Sequence, residues 1–378
     1  MDFREIRHSS KIITGILARK VFTGPHSVQV SIVDACNYRC IMCWEHSPEF
    51  EGRGADEFSR RYHAEKKNKA TVMDLDIYKT LVEGMKSTGA RQIGLAGIGE
   101  PLLHRHIVDA VVFARQKKMS VWITTNGSLL DEELSRELVD AGLDDLSISL
   151  NAGSREEYGL VHANQDNTVF DQIITGLKKL DEYKRRRGTD NPRVTLSNVI
   201  SNVNFRKVPE MARLAADVGA ASICFRPVDT GPQTEKYSLS DEDYERLESS
   251  FAIAAQVAES HGIAQNIESF RQLVKLRADG GIPAPCFAGW LFPFVLANGD
   301  ITYCCVSREV LGNLAESSFE QIWYSKEKSR LNDIALNIHR TQTPVPRSRC
   351  RGCEMALSNM RIYRRLWPLW GRPSPSAT

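Results

Sequence analysis

The sequence predicts an α/β fold: a partial (β/α)6 TIM-like barrel followed by a small C-terminal α+β unit. Three observations lead to it. Short apolar segments alternate with amphipathic helical segments from residue 28 to residue 225, and six such strands can be counted, the pattern of βα units around a parallel sheet. Six is fewer than the eight strands of a closed barrel, although a doubly wound open sheet shares the pattern. The texture then changes near Gly231, and five of the nine cysteines lie from Cys286 onward.

Each element follows from its own residues. Residues 28–33 are an apolar run, read as the first strand. Residues 45–69 are highly charged and poor in aliphatics, and read as a long loop or lid. Helical periodicity covers 75–87, and QIGLA (92–96) is a buried strand. Residues 107–117 are helical and SVWIT (120–124) is a strand. Residues 131–141 form a helix and DLSISL (145–150) a strand. The helix 170–186 precedes the strand 194–200, and the helix 208–218 precedes ASICF (221–225). Helical patterning returns over 241–260, and GGIPAP (280–285) is a Pro/Gly boundary. The chain therefore divides into an N-terminal extension (1–27), the barrel (28–230), a helical connector (231–281), a cysteine-rich domain (282–357) and a basic aromatic tail (358–378). The tail's last residues, GRPSPSAT, are expected to be disordered.

With 42% hydrophobic and 25% charged residues, the composition is that of an ordinary globular enzyme. A net charge of +2 gives no argument for a nucleic-acid partner. No apolar run approaches the roughly 18–20 residues that span a bilayer. The start, MDFREIRHSSKIITGILARK, lacks the apolar run and cleavage site of a signal peptide. A cytoplasmic location is expected, where cysteines serve as metal or redox ligands instead of disulfides.

Reactive groups in such folds sit at the C-terminal ends of the strands. The run DACNYRCIMCW follows the first strand and carries Cys36-x3-Cys40-x2-Cys43. Three thiolates can hold three irons of a [4Fe–4S] cluster and leave the fourth open, whereas a cluster ligated by protein alone needs four cysteines. The uneven spacing differs from the C-x-x-C knuckles of structural zinc sites. Half of a zinc site, or buried thiols packing as small hydrophobes, are the plainer alternatives.

Together with GLAGIGEPLLH (94–104), ITTNGSLL (123–130) and SISLNAGS (147–154), this motif resembles the radical S-adenosylmethionine (SAM) enzymes, roughly over residues 28–228. The resemblance implies that Cys36, Cys40 and Cys43 ligate a catalytic [4Fe–4S] cluster and that SAM chelates the open iron. Reductive cleavage of SAM then yields a 5′-deoxyadenosyl radical that abstracts hydrogen from substrate, while the protein orients the parts. It implies that Gly97, Gly99 and Glu100 meet the amino end of SAM, since glycine admits close approach and a carboxylate pairs with an ammonium. Thr125, Asn126, Ser149 and Asn151 would also face SAM, with simple turn chemistry at Asn126-Gly127 as the rival reading. Met42 stands where many relatives carry an aromatic residue against the adenine, and Trp44 is placed to share that task. No Arg lies between Tyr158 and Lys184 to meet the SAM carboxylate, which leaves His162 or Arg226.

Cys286, Cys304, Cys350 and Cys353 supply four more thiolates, enough for a closed cluster. ANGDITYCC (297–305) and LGNLAESSFEQIW (311–323) resemble the SPASM/twitch extension of radical SAM enzymes. This implies one auxiliary [4Fe–4S] cluster on those four residues, with Cys305 a neighbour that can be confused with Cys304. A four-cysteine zinc site is the alternative. The layout resembles dehydrogenases that oxidise a secondary alcohol of an aminocyclitol or sugar, the auxiliary cluster taking the electron. Cys224 shares strand parity with Arg226 and offers a different outcome, return of a hydrogen atom and hence epimerisation. A buried strand thiol is the bland reading.

Peptide-modifying SPASM enzymes often begin with a peptide-recognition domain, and here 35 residues precede Cys36. A small-molecule or carbohydrate substrate is therefore expected. A peptide maturase forming thioethers or cross-links is one rival, and a zinc-binding scaffold with a decayed SAM site is another. The resemblance also implies a flavodoxin- or ferredoxin-type reductant. MRIYRRLWPLWGR (360–372) suits peripheral contact with an anionic membrane, stacking on an anionic substrate, or packing of its aromatics on the body with arginines solvated.

Overall fold

The structure is a computed structural model that describes residues 3–50, 71–229, 231 and 233–370. Strands β1 (Ser27–Val30), β2 (Gln92–Leu95), β3 (Ser120–Thr125), β4 (Asp145–Ser149), β5 (Arg193–Ile200) and β6 (Ser222–Pro227) are parallel neighbours in chain order. A doubly wound sheet reverses strand order at its switch point. This one does not, so the partial barrel is the fold. β1 and β6 do not pair with each other, which leaves the barrel open.

Alternation along each strand sorts the side chains into two sets. Val28, Ile93, Val121, Leu146, Val194 and Ile223 point one way and are buried in the main core. The helices α2 (Leu75–Thr88), α3 (Ile107–Gln116), α4 (Glu132–Asp140), α5 (Arg155–Val161), α6 (Thr168–Arg187) and α7 (Val208–Asp217) contribute Leu81, Val111, Leu138, Tyr158, Leu177 and Met211 to the same core. The opposite set on β4, β5 and β6 is polar apart from Val199. Pairing aligns Ser147, Thr195 and Ser222 in one row and Ser149, Ser197 and Cys224 in the next. Thr195 and Ser222 hydroxyls meet at 2.6 Å.

The expected connector contains α8 (Asp241–Ser260), the short β7 (Ala264–Gln265) and α9 (Ile267–Asp279). β7 extends the sheet beside β6. Phe251 of α8 packs edge-on between Phe225 of β6 and Phe270 of α9, with ring centroids 5.4 and 5.0 Å apart.

The C-terminal unit is not a separate layer. After α10 (Ala288–Leu291), β8 (Phe294–Val295) pairs in parallel with β1, and β9 (Asp300–Thr302) and β10 (Val310–Asn313) follow antiparallel. One ten-stranded sheet results, in the order β10-β9-β8-β1-β2-β3-β4-β5-β6-β7. The helices α11 (Phe319–Trp323), α12 (Lys326–Thr341) and α13 (Met355–Trp370) complete the unit. The N-terminal extension contains α1 (Phe3–Leu17), whose Ile12 and Ile16 pack with Phe287, Trp290 and Leu336. The start of the expected tail belongs to α13, and its Tyr363 and Leu366 are buried in that same cluster. That packing uses part of the apolar surface a membrane contact would need. The residues GRPSPSAT and most of the expected lid (51–69) lie outside the described residues.

Two outcomes follow. Truncating Phe251 to Ala empties the contact that joins α8 and α9 to the sheet. It should cost about 3–5 kcal/mol in chemical denaturation. Glu157, on α5, is pushed up from the usual 4.5 to about 7, chiefly by burial. Its folded-state value lies above its unfolded one, so stability is fully present below about pH 4.5 and falls until about pH 7. Thermal melts of the apoprotein should show E157Q gaining on the wild type across that window and holding a constant lead above it.

Candidate active site

The loop after β1 carries Cys36, Cys40 and Cys43, and the loop after β2 lies directly on it. The N–H groups of Gly99 and Glu100 donate to the carbonyls of Val33 and Ala35 at 3.2 and 2.8 Å. A Cβ on Gly99 would come within 2.2 Å of the Ala35 carbonyl oxygen. One on Gly97 would come within 2.7 Å of Ser31 Cβ and 2.9 Å of the Phe294 ring. The close approach these glycines permit is thus to the protein's own cysteine loop and to β8.

Glu100 is 3% exposed and joins three loops. Its Oε1 accepts from the Leu102 N–H at 3.0 Å and the Thr125 hydroxyl at 2.6 Å, and its Oε2 from the Asn126 N–H at 2.8 Å. Burial pushes its carboxyl up while these donors pull it down. The Asn126 amide donates to Asn37 Oδ1 at 2.8 Å, and Asn37 donates to the Ser128 hydroxyl at 2.9 Å. Asn37 lies between Cys36 and Cys40, so the turn after β3 holds the cysteine loop directly.

The sulfurs have ordered surroundings. Backbone N–H groups of Tyr38 and His46 donate to Cys36 and Cys43 at 3.4 and 3.3 Å, as donors to cluster sulfurs do. Buried His162 sets Nδ1 3.1 Å from Cys40 Sγ, and its Nε2 donates to the Leu150 carbonyl at 3.1 Å. Burial pushes this imidazole down to about 4. Burial pushes the Cys36 thiol up to about 12, and raises Cys40 and Cys43 as well. A bound metal centre reverses that cost, because a coordinating thiol is deprotonated outright. Among the described residues no three His, Cys, Asp or Glu side chains converge as ligands of a single ion. A cubane asks for something else: each cysteine takes its own iron, and three thiols spread along one loop fit that demand.

The second group of cysteines comes from three places around the C-terminal unit, Cys350 and Cys353 sharing one turn. Cys304 is buried in one apolar cluster with Cys286 and Cys350 against it, whereas Cys305 packs against Ile98, Phe294 and Leu296. Cys353 stands close enough to Cys286, Cys305 and Cys350 for their charges to raise its thiol, after the larger effect of burial.

Residues 30–215 match the radical SAM superfamily and residues 286–354 match the SPASM iron–sulfur cluster-binding domain. This chain belongs to the radical SAM superfamily. It is 27% identical over 197 residues to a tungsten-containing aldehyde ferredoxin oxidoreductase cofactor-modifying protein of Pyrococcus furiosus, covering 50% of this chain and 48% of that one. It is 24% identical to the AdoMet-dependent heme synthase of Methanosarcina barkeri, over 81% of this chain and 84% of that one. The chain thus spans about half the length of the first relative and most of the second. Streptococcus suis SuiB, solved with its precursor peptide SuiA, shares the fold at a TM-score of 0.62 and 14% identity, over 86% of this chain and 70% of that one. As a radical SAM enzyme with a SPASM domain, the protein takes SAM and two [4Fe–4S] clusters as cofactors.

The structure sorts the residues expected to face SAM. Glu100, Thr125 and Asn126 form one bonded group beside Cys36. Asn151 does not stand free. At φ 57° its amide accepts from the Val199 N–H at 2.8 Å and donates to the Ser149 carbonyl at 3.3 Å, splicing the end of β4 to β5. Ser149 lies in the polar row with Ser197 and Cys224. Trp44 has the guanidinium of Arg349 3.4 Å above its ring, so that face is taken; Met42 is half-buried. Arg226 pairs with Glu354 at 3.4 Å, the residue after Cys353, and lies near Cys224, two residues before it on β6. His162 serves Cys40. Sequence reasoning missed Asn37, Glu45, Arg308 and Arg349 altogether; an acid two residues past the cluster motif and arginines near the later cysteines were the available signals.

Gly99→Ala should drive the two loops apart, and reconstituted iron should fall from about eight toward four per chain. Glu100→Gln turns an amide NH2 toward at least one N–H donor, a loss of about 1–3 kcal/mol. Weaker SAM binding with the iron count retained is the expected signature in equilibrium dialysis.

Proposed function

We propose that the enzyme abstracts hydrogen from a polar small molecule, of sugar or aminocyclitol type, and completes its oxidation with one auxiliary cluster. The carrying observation is the hydroxyl-lined face of β4, β5 and β6. Its two rows, Ser147–Thr195–Ser222 and Ser149–Ser197–Cys224, suit hydrogen bonding to a polyhydroxylated ligand. Ser147, Ser149, Thr195 and Ser222 are part-exposed, so this lining can exchange water for a substrate that returns the same hydrogen bonds.

In this reading Cys36, Cys40 and Cys43 hold the catalytic cluster, and Glu100, Thr125, Asn126, Gly97, Gly99 and Met42 shape the SAM pocket. Cys286, Cys304, Cys350 and Cys353 hold the auxiliary cluster. Loaded with SAM and a reduced cluster, the site supplies hydrogen-atom abstraction. The protein's own part is to orient substrate on the polar rows and to keep an electron acceptor near. Arg226 links the two regions: it shares its strand and side with Cys224 and pairs with Glu354 on the auxiliary side. A low-potential flavodoxin or ferredoxin is the reductant in this reading.

A second reading has one specific support. SuiB, which shares the fold, was solved with a precursor peptide, so a peptide substrate is the rival. No helix among the described residues is long and apolar enough to cross a membrane, and the enzyme is placed in the cytoplasm by this proposal.

The test is substrate-dependent deuterium transfer into 5′-deoxyadenosine from deuterated polyols and from candidate precursor peptides. Transfer from a peptide and from no polyol would sink the small-molecule reading. Cys304→Ala should lower iron from about eight to about four per chain, keep SAM cleavage and abolish the two-electron-oxidised product. Cys224→Ser should leave that product intact. If the wild type instead forms a redox-neutral epimer carrying a solvent-derived hydrogen, and Cys224→Ser loses it with SAM cleavage retained, Cys224 is the hydrogen donor and the reaction an epimerisation.

A further inference from the structure

Two contacts join the loop that carries the first three cysteines to the loops that carry the later ones. Glu45, two residues after Cys43, pairs with Arg308, four residues after Cys304, at 2.5 Å, and the two side chains are 9% and 8% exposed. Trp44 lies under the guanidinium of Arg349, the residue before Cys350, at 3.4 Å. Arg349 in turn reaches Asp229, just past β6, at 3.3 Å.

We propose that these contacts form a clasp through which the auxiliary-cluster loops position the catalytic-cluster loop for SAM. The proposal rests on the ligand assignments above. A buried ion pair is a weak device for stability, because apolar residues of the same volume do as well or better. What it does provide is register, since either charge left alone in the interior is expensive. The auxiliary side of the clasp is one piece. The Arg308 N–H donates to the Arg347 carbonyl at 2.9 Å, and the Arg349 N–H donates to the Val306 carbonyl at 3.2 Å. The catalytic side is equally tight. The Ser47 N–H donates to the Cys43 carbonyl at 3.2 Å, and the Ser47 hydroxyl donates to the Ile41 carbonyl at 2.8 Å. A shift of Arg308 or Arg349 is therefore carried to Cys43, and misplacement of a reacting group by even about 1 Å is costly. Glu45, Arg308, Trp44 and Arg349 are positioning residues in this scheme.

The test uses the reconstituted full chain, its iron count, and the change that SAM produces in the electron paramagnetic resonance of the reduced catalytic cluster. Arg308→Met and Glu45→Gln should each keep about eight irons yet need about tenfold more SAM for half of the spectral change. The reversed pair Glu45→Arg with Arg308→Glu should recover most of that loss. Cys304→Ala should weaken SAM binding in the same way, and Glu45→Gln should add little to it. If the buried variants fail to fold, Arg349→Gln, at a part-exposed position, should show the same loss on a smaller scale. Wild-type SAM response in the variants at full iron, loss of the auxiliary irons with an unchanged SAM response, or full additivity with Cys304→Ala would each overturn the clasp. A wild-type chain that binds no iron would instead overturn the ligand assignment, and the clasp with it.

Discussion

The arrangement depends on a carboxylate buried at the end of β2. Glu100 accepts from a backbone N–H of its own loop, from the Thr125 hydroxyl and from the Asn126 N–H. Its backbone donates to Ala35 in the cysteine loop. One residue thus ties the ends of three successive strands. A buried acid is tolerated only where donors satisfy it, and here the donors are the loops that must be held together. The cysteine loop turns on local bonds such as those of Ser47 to Cys43 and Ile41, and Glu100, Gly99, Asn126 and His162 hold it to its neighbours.

The continuity of the sheet has a comparable effect. β8 pairs with β1, the strand that leads into the cysteine loop, so the C-terminal unit is anchored on the barrel itself. Phe294 of β8 sits against Gly97. The later cysteines are consequently placed relative to the first three by strand pairing as well as by side chains. Arg226, Arg308 and Arg349 bridge the remaining gap, and each meets an acid or an aromatic ring. The hydroxyl rows of β4 to β6 lie on the sheet face opposite the helical core, where an abstracting site would need its substrate.

Much of the barrel was legible in the sequence, because its strands are short apolar runs between amphipathic helices. The helix 241–260 was read with its true bounds, and β1 was read three residues past its end because Ile32 and Val33 are buried without being strand. The ten-stranded sheet was not legible. β8 is two residues long, too short for periodicity to register, and its partner lies far away in the chain. α1 and α9 were missed because their apolar faces are matched to distant partners such as Trp290 and Phe251. At the site, cysteine spacing and the strand-end motifs carried the reading. The spent amide of Asn151 and the Arg349 cover on Trp44 were invisible, since each depends on which side chain another strand or loop brings near. The ion pair of Glu45 with Arg308 spans 263 positions, and only the folded chain reveals it.

The central claim is that Cys36, Cys40 and Cys43 hold a cluster whose fourth iron binds SAM. Its most direct test is electron–nuclear double resonance on chain lacking Cys286, Cys304, Cys350 and Cys353, reduced in the presence of SAM labelled with 15N at its amino group. The account predicts a hyperfine coupling from that nitrogen to the remaining cluster. A well-formed cluster that binds SAM without such a coupling would contradict it.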